Sequence, residues 1–217
     1  MLTSAIVARV IAEGGFDTSA SDTSAATLLS WINEAYRQMV GDAEWLRAER
    51  NLGNTVANQD LYTLADDIVQ VSRISVGTND RWKIVDAEEL LDLKWSGGMA
   101  LYGAPGVAAV MYDEASKLQK LQLWPAPTAA GQPIEVLASI LPADLTTSPD
   151  TTPAIPVDLH DSLVDGAIGL GRLRVDERQD LAEPFLQKFQ AAVGKLVKRR
   201  RSRLQSGAWQ ASVNGRR

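Results

Sequence analysis

The chain has 217 residues, no cysteine, one histidine and a formal net charge of −5. This length suits one domain, or one domain with an inserted lobe, and 45% apolar residues are enough to form a core. The absence of cysteine excludes disulfides, thiolate metal sites and thiol nucleophiles. No apolar run reaches the ~18 residues of a membrane span, and the first residues lack the basic start of a signal peptide. We therefore expect a soluble protein made in a cytoplasm.

Two amphipathic helices are predicted at the start of the chain. The first is expected to start near Thr3 or Ser4, with one of them as its cap, and to end at Gly14–Gly15, because glycine commonly ends helices. The second is expected to be capped by Thr23 or Ser24. Its apolar residues recur at helical spacing: Leu28, Leu29, Ile32, Tyr36, Met39 and Val40.

A β-rich lobe is predicted over residues 49–150, where short apolar runs alternate with turn residues. The predicted strands are 54–57, 60–64, 68–77, 81–85, 107–112, 118–124 and 133–140. Asp86 is expected to cap a short helix over 87–94. Residues 95–106, with four glycines and a proline, predict a loop. Four prolines in 142–156 mark a linker out of the lobe.

A third helix, predicted to begin near Pro156–Asp158, contains a glycine-rich stretch, GAIGLG (166–171). Each helical glycine costs up to ~1 kcal/mol relative to alanine, so we infer that another element packs closely against this face. The stretch is not interpreted as a nucleotide loop, because its order is GxxGxG and it follows no strand. Its glycines are Gly166, Gly169 and Gly171.

A fourth helix is predicted to begin at Asp180, with Glu183 as its capping-box partner and Pro184 in its first turn. Its apolar stripe stops at Val197. A helix that continues to residue 205 would be ~37 Å long, and only its first two thirds would have an apolar face to bury. We therefore expect the last third to project into solvent or to dock on another chain.

Together these elements predict an α+β protein. Residues 1–48 and 157–197 would form an α-helical bundle, and residues 49–150 a small antiparallel β lobe inserted into it. Residues 198–217 would form a basic C-terminal extension of the last helix.

Positive charge is concentrated at the end of the chain. No acidic residue follows Glu183, and residues 184–217 carry nine of the 22 basic residues. Residues 1–183 thus hold 13 basic and 27 acidic residues, a net charge of −14. The sequence KRRRSR (198–203) would suit nucleic-acid phosphates or an acidic protein surface, or it is simply a solvated helix end. Because the acidic body would repel phosphate, the protein surface is favoured.

No motif predicts catalysis, a metal site or a cofactor. His160 lies between Asp158 and Asp161, and neighbouring carboxylates can orient a histidine as a general base. No GxSxG elbow accompanies this histidine, so we expect it to face solvent or an interface. Adjacent carboxylate pairs, such as Asp66–Asp67, are expected in solvated turns. The six tryptophans are scattered rather than spaced as a stacking platform.

Five segments resemble, in chain order, the head–tail adaptor (connector) proteins of tailed phages. WINEAYRQMVGDAEW (31–45) resembles that family's second helix and the tryptophan after it. LYTLADDIVQVSRI (61–74) is similar to its Tyr-x-Leu-Pro-x-Asp segment, and LQLWPAPTAAGQPIEVLASILPADL (121–145) to its strand, Pro-x-Pro turn and strand. PAIPVDLHDSLVDGAI (153–168) resembles the helix that returns to the bundle, and 181–203 the basic terminal helix.

The resemblance implies a structural, non-enzymatic protein of the virion neck, assembled in the host cytoplasm. Its subunits would form a ring, usually of twelve, beneath the portal. Genomic DNA would pass through the bore without sequence-specific binding, and tail or tail-completion proteins would attach below. Two other functions stay open: a nucleic-acid-binding protein that uses the basic tail, and a carbohydrate-active or carbohydrate-binding protein that uses the β lobe.

On the adaptor interpretation, we expect the end of the last helix to dock on the portal. Removing the residues after Gly194 is then expected to leave the body folded, because little of the core lies beyond that point. The predicted portal-binding residues are Lys195, Lys198, Arg199, Arg200, Arg201, Arg203, Leu204 and Trp209.

Overall fold

The protein is mixed α+β, with five α-helices and two small sheets in the described part of the chain, so the predicted class is confirmed. The computed structural model describes four stretches: residues 1–78, 82–95, 106–175 and 179–205. The chain divides into two compact units. A helical unit consists of Met1–Leu46 together with Leu141–Arg217, and a β unit consists of Arg47–Ile140.

The five helices are α1 (Thr3–Gly14), α2 (Ala25–Ala43), α3 (Ala87–Trp95), α4 (His160–Val175) and α5 (Gln179–Gln205). All except α3 belong to the helical unit and share one apolar core. The predicted cap of α1 is wrong, because Leu2 rather than Thr3 or Ser4 holds the N-cap position and makes no side-chain capping hydrogen bond. Two other predicted helix ends are confirmed. Ser24 Oγ accepts a hydrogen bond from the Thr27 N–H at 3.3 Å, and Gly15 ends α1 with a φ of 65°.

The glycines of α4 allow two neighbouring helices to approach it closely, as predicted. A Cβ atom on Gly171 would lie 2.5 Å from the ring of Trp31 in α2. A Cβ on Gly169 would lie 2.6 Å from Leu186 in α5. Real Cβ atoms do not make contacts this short, so a larger residue would force the neighbouring side chains or the helices themselves to shift.

The start of α5 differs from the prediction. The helix begins at Gln179 rather than after a cap at Asp180. Pro184 consequently lies in the second turn of the helix instead of the first. Its ring fixes φ at a helical value, and α5 continues without interruption to Gln205.

The linker that follows the last strand packs within the helical unit. Asn33 in α2 accepts a hydrogen bond from the Leu145 N–H at 2.7 Å and donates one to the Leu145 carbonyl at 3.1 Å. Thr3 Oγ1 donates to the Thr151 carbonyl at 2.8 Å. These bonds explain why residues from Leu141 onward belong to the helical unit, although the sequence placed 141–150 in the lobe.

The β unit contains two sheets. The strands are β1 (Arg47–Asn54), β2 (Leu61–Thr63), β3 (Ile68–Val76), β4 (Lys83–Val85), β5 (Val107–Asp113), β6 (Leu118–Trp124) and β7 (Pro133–Ile140). One sheet has the order β1-β7-β3 and the other the order β2-β6-β5-β4. Apolar side chains from both sheets form a shared core, and α3 packs its buried Leu90 against β4 and β5. Asp86 caps α3 as predicted, since its Oδ1 accepts from the Glu89 N–H at 2.6 Å.

Two predictions for the lobe are wrong. β4 and β5 pair in parallel, so the lobe is not wholly antiparallel. Because α3 lies between these strands in sequence, it serves as the crossover that parallel neighbours require. The predicted strand 54–57 is replaced by β1, which ends at Asn54. β1 is an edge strand paired with β7 and is polar, so it lacks the apolar signal on which the prediction relied. The predicted loop 95–106 lies largely outside the described residues.

Candidate functional site

The last two turns of α5 present two different faces. Leu196 is fully buried and ends the apolar stripe on the side that packs against the helical unit. Residues three, four and seven positions later lie on the same face of a helix. These residues are Arg199, Arg200 and Arg203, which we call the inner arginines. The apolar stripe ends at Val197, as predicted, but the face that contacts the helical unit continues beyond it with arginine in place of apolar side chains.

The first inner arginine makes a bidentate ion pair. Arg199 Nη1 donates to Asp158 Oδ1 at 2.8 Å, and Arg199 Nη2 donates to Asp158 Oδ2 at 2.6 Å. Asp158 belongs to the 3-10 turn Val157–Leu159 that precedes α4. The paired guanidinium holds the pKa of the Asp158 carboxyl below its ordinary value, with a smaller contribution from the charge of Lys195. Bidentate pairing fixes direction as well as distance.

The other two inner arginines contact the end of α2. Arg200 forms an ion pair with Glu44, the residue that ends α2 in a left-handed conformation. The guanidinium carbon of Arg203 lies 4.3 Å from the centroid of the Trp45 ring, within the range of a cation–π interaction. Trp45 is itself held in place, since its Nε1 donates to the Ala154 carbonyl at 3.0 Å.

The remaining surface of the helix end carries a second set of charges. Lys195, Lys198 and Arg201, which we call the outer cations, are exposed. None of the three has an ion pair with a residue in the described part of the chain. The predicted set of basic residues thus divides into one group that contacts its own unit directly and one group that is exposed and has no such ion pair. Within the second group, Lys195 lies beside Arg199, and only its charge acts on Asp158. Trp209 and the side chain of Leu204 lie outside what the structure describes.

Sequence reasoning missed the partners of the inner arginines. Asp158 drew attention only as a neighbour of His160, and Glu44 and Trp45 only as part of the segment 31–45 that resembles the adaptor family. The spacing of the inner arginines relative to Leu196 was the available signal. It shows which way these side chains point but not which acids they meet, because residues 44 and 158 are distant in sequence.

His160 is buried, contrary to the expectation of an exposed or interface histidine. Its Nε2 lies 3.0 Å from the Ile155 carbonyl oxygen and therefore donates to it. Its Nδ1 lies 2.8 Å from the backbone nitrogen of Met1. Both ring nitrogens thus have partners within the helical unit. This arrangement makes the histidine a link between the start of α4 and the start of α1.

The β unit has a surface pocket of about 230 Å³, lined in part by Asp66, Tyr112 and Lys117. Asp66 is the single carboxylate among its lining residues. Glycoside hydrolysis generally requires two carboxylates on either side of the scissile bond, so the geometry of this pocket gives no support to a carbohydrate-active lobe. Among the described residues, no cluster of three or more acids or histidines could hold a metal ion.

Fold and site together define an α+β protein with an inserted β unit and a charged C-terminal helix. The chain belongs to the SU10 adaptor protein family, which matches residues 1–216. This match confirms the resemblance to phage head–tail adaptors and supports a structural role in a virion. A comparison with curated proteins finds no match. In the part of the chain that the structure describes, no helix is long and apolar enough to cross a membrane.

Proposed function

We propose that this protein is the head–tail adaptor of a tailed-phage virion. In this role, twelve copies form a ring beneath the portal, join the capsid to the tail and leave a bore through which the genome passes. The observation that carries the proposal is the family match over nearly the whole chain. The role is structural and requires no catalytic residue, metal or cofactor. The adaptor is assembled in the host cytoplasm and ends in the virion neck.

The end of α5 is the proposed portal-binding element. Its outer cations, at positions 195, 198 and 201, are exposed and lack ion pairs with described residues. They suit an acidic surface on the portal, where opposite charges speed the encounter and fix the register more than they add affinity. Leu204 and Trp209 are the proposed apolar anchors, since buried tryptophans dominate many interfaces.

The charge of the remaining chain suits a passage for DNA. Residues 1–183 have a net charge of −14, so the surface around the bore would not bind phosphate tightly. The tail or tail-completion proteins would attach on the side away from the portal. This distribution of charge favours the adaptor over a nucleic-acid-binding protein, which would need more exposed cations than α5 alone supplies.

Charge reversal tests the portal contact more cleanly than truncation. A chain that ends at Gly194 would lose the buried Leu196 and all three inner arginines, so it would also weaken the helical unit. Lys198→Glu changes an exposed side chain, and Lys117→Glu in the β unit is a matched control with the same charge change at another exposed lysine. We expect Lys198→Glu to weaken binding to the phage's own portal by about three- to tenfold at low salt.

The loss of affinity is expected to shrink as salt rises, because exposed charges are screened over about 8–10 Å at 0.10–0.15 M. The control is expected to bind like the wild type at every salt concentration. Equal affinity of the two variants would refute the portal contact. Electron microscopy of the adaptor–portal complex tests the ring, and a single adaptor bound at one isolated site would refute it. Steeply salt-dependent DNA binding that disappears in Lys198→Glu would favour the nucleic-acid alternative.

A further inference from the structure

We propose that Asp158, Glu44 and Trp45 are positioning residues for docking. By holding the inner arginines, they keep the last two turns of α5 helical and keep the outer cations exposed in a fixed arrangement. The inference rests on the proposed portal contact, but its first consequence concerns the free protein alone. It assigns the two groups of basic residues different roles, since one group orders the helix end and the other meets the partner.

The end of α5 needs such support. Five of the six residues 198–203 are basic, and like charges three or four positions apart destabilise a helix. Beyond Val197 the described part of α5 has no buried apolar side chain. An isolated helix end of this composition would fray, because tertiary packing supplies most helical stability.

The three contacts replace that missing packing. The pair with Asp158 anchors one side of α5 to the turn before α4. Glu44 and Trp45 anchor the helix to the end of α2. Because anchors from two separate elements hold successive positions, the helix end cannot rotate without breaking at least one contact. The outer cations are therefore presented in a fixed arrangement before any partner arrives.

A fixed arrangement favours docking. When a binding segment is already ordered, association does not have to supply the free energy of ordering it. Loss of one anchor is therefore expected to weaken docking even though the outer cations themselves are unchanged. This effect separates a positioning residue from a contact residue.

The test compares Asp158→Asn with Asp161→Asn in the full-length protein. Both substitutions remove one exposed negative charge at the start of α4, and both carboxylates are paired with an arginine. Asp161 pairs with Arg9 of α1 rather than with α5, so it controls for net charge and for effects on the α4 dipole. Hydrogen exchange of the backbone amides of residues 199–205, without portal, is the first readout.

We expect Asp158→Asn to accelerate this exchange several-fold and Asp161→Asn to leave it at the wild-type rate. Affinity for the portal is the second readout, with a loss of about two- to tenfold in Asp158→Asn and none in Asp161→Asn. Arg203→Gln, which removes the charge over Trp45 at an exposed position, is expected to change both readouts in the same direction.

Equal exchange in all variants would overturn the inference, whatever their affinity for the portal. Faster exchange with undiminished affinity would also overturn it, since the order of the helix end would then not matter for docking. Neither result bears on the proposed adaptor function, which is judged by Lys198→Glu. Conversely, if Lys198→Glu binds like its control while Asp158→Asn accelerates exchange, the portal contact fails and the ordering of α5 still holds.

Discussion

The buried face of α4 and the last two turns of α5 lie in the same unit, but different forces hold them. At α4, side chains from α2 and α5 pack so closely against glycines that no space is left for a Cβ atom. At the end of α5, guanidinium groups reach partners on two other elements while much of the helix stays exposed. Adding an atom at a glycine of α4 would disrupt the packing there, whereas removing a charge would break a contact at the end of α5. Substitutions are therefore expected to change stability and the proposed docking separately.

The largest expected effect tests the packed side of this comparison. In Gly166→Ala, the new Cβ would lie 2.8 Å from a ring carbon of Phe189 and 2.9 Å from the Cβ of Ala35. Ala35 can give way only if the α2 backbone moves. Overpacking costs about 1–3 kcal/mol and outweighs the helix-propensity gain of up to ~1 kcal/mol. We expect a loss of about 1–2 kcal/mol in the free energy of unfolding, measured by denaturant titration.

A glycine-to-alanine substitution in α5 is expected to raise stability rather than lower it. Gly194 is exposed, and a Cβ built there meets no atom within 4 Å. Gly194→Ala therefore keeps only the propensity gain, up to ~1 kcal/mol of added stability, and leaves the charges of the helix end unchanged. The two alanine variants serve as controls for each other. If both variants lower the denaturation midpoint, the difference in packing around Gly166 and Gly194 does not determine how alanine affects stability.

Local sequence patterns correctly predicted the features that depend on residues close together in the chain. The apolar period of α2, the cap at Asp86 and the glycines of α4 each depend on residues a few positions apart, and all three predictions are confirmed. β1 was missed because its stability comes from pairing with β7, about 85 residues later. The parallel pairing of β4 with β5 is likewise a property of topology, which no short pattern encodes.

The candidate site was predictable in composition but not in geometry. The charge run marked the end of α5 as unusual, and the helical period separates Arg199 and Arg203 from Lys198. The acids that pair with the inner arginines come from the ends of other helices, so only the tertiary structure brings them together. His160 shows the same limitation, because its burial depends on the linker and on the first residues of the chain.

The smallest expected effect concerns a half-buried carboxylate of α4, whose stability depends on both its burial and the charges around it. Asp165 is half-buried next to Gly166, and burial raises the pKa of its carboxyl. The charges that act on it are Lys188 and Arg9, which favour ionisation, and Glu13 and Asp161, which oppose it. Because burial dominates, the ionised carboxylate costs free energy in the folded state, and Asp165→Asn is expected to stabilise the protein at neutral pH.

The gain is expected to stay well under about 1 kcal/mol, since solvent screens a carboxylate that is only partly buried. A folded pKa above the unfolded one means that the penalty is complete above the folded pKa. It declines as pH falls and disappears below the unfolded value, ~3.9. Denaturant titrations of both proteins from pH 7 to pH 3 should therefore converge at the acidic end. If the two unfolding free energies instead differ by the same amount at every pH, Asp165→Asn changes packing rather than charge. Close packing would then determine stability at this position, as is expected at the glycines of α4.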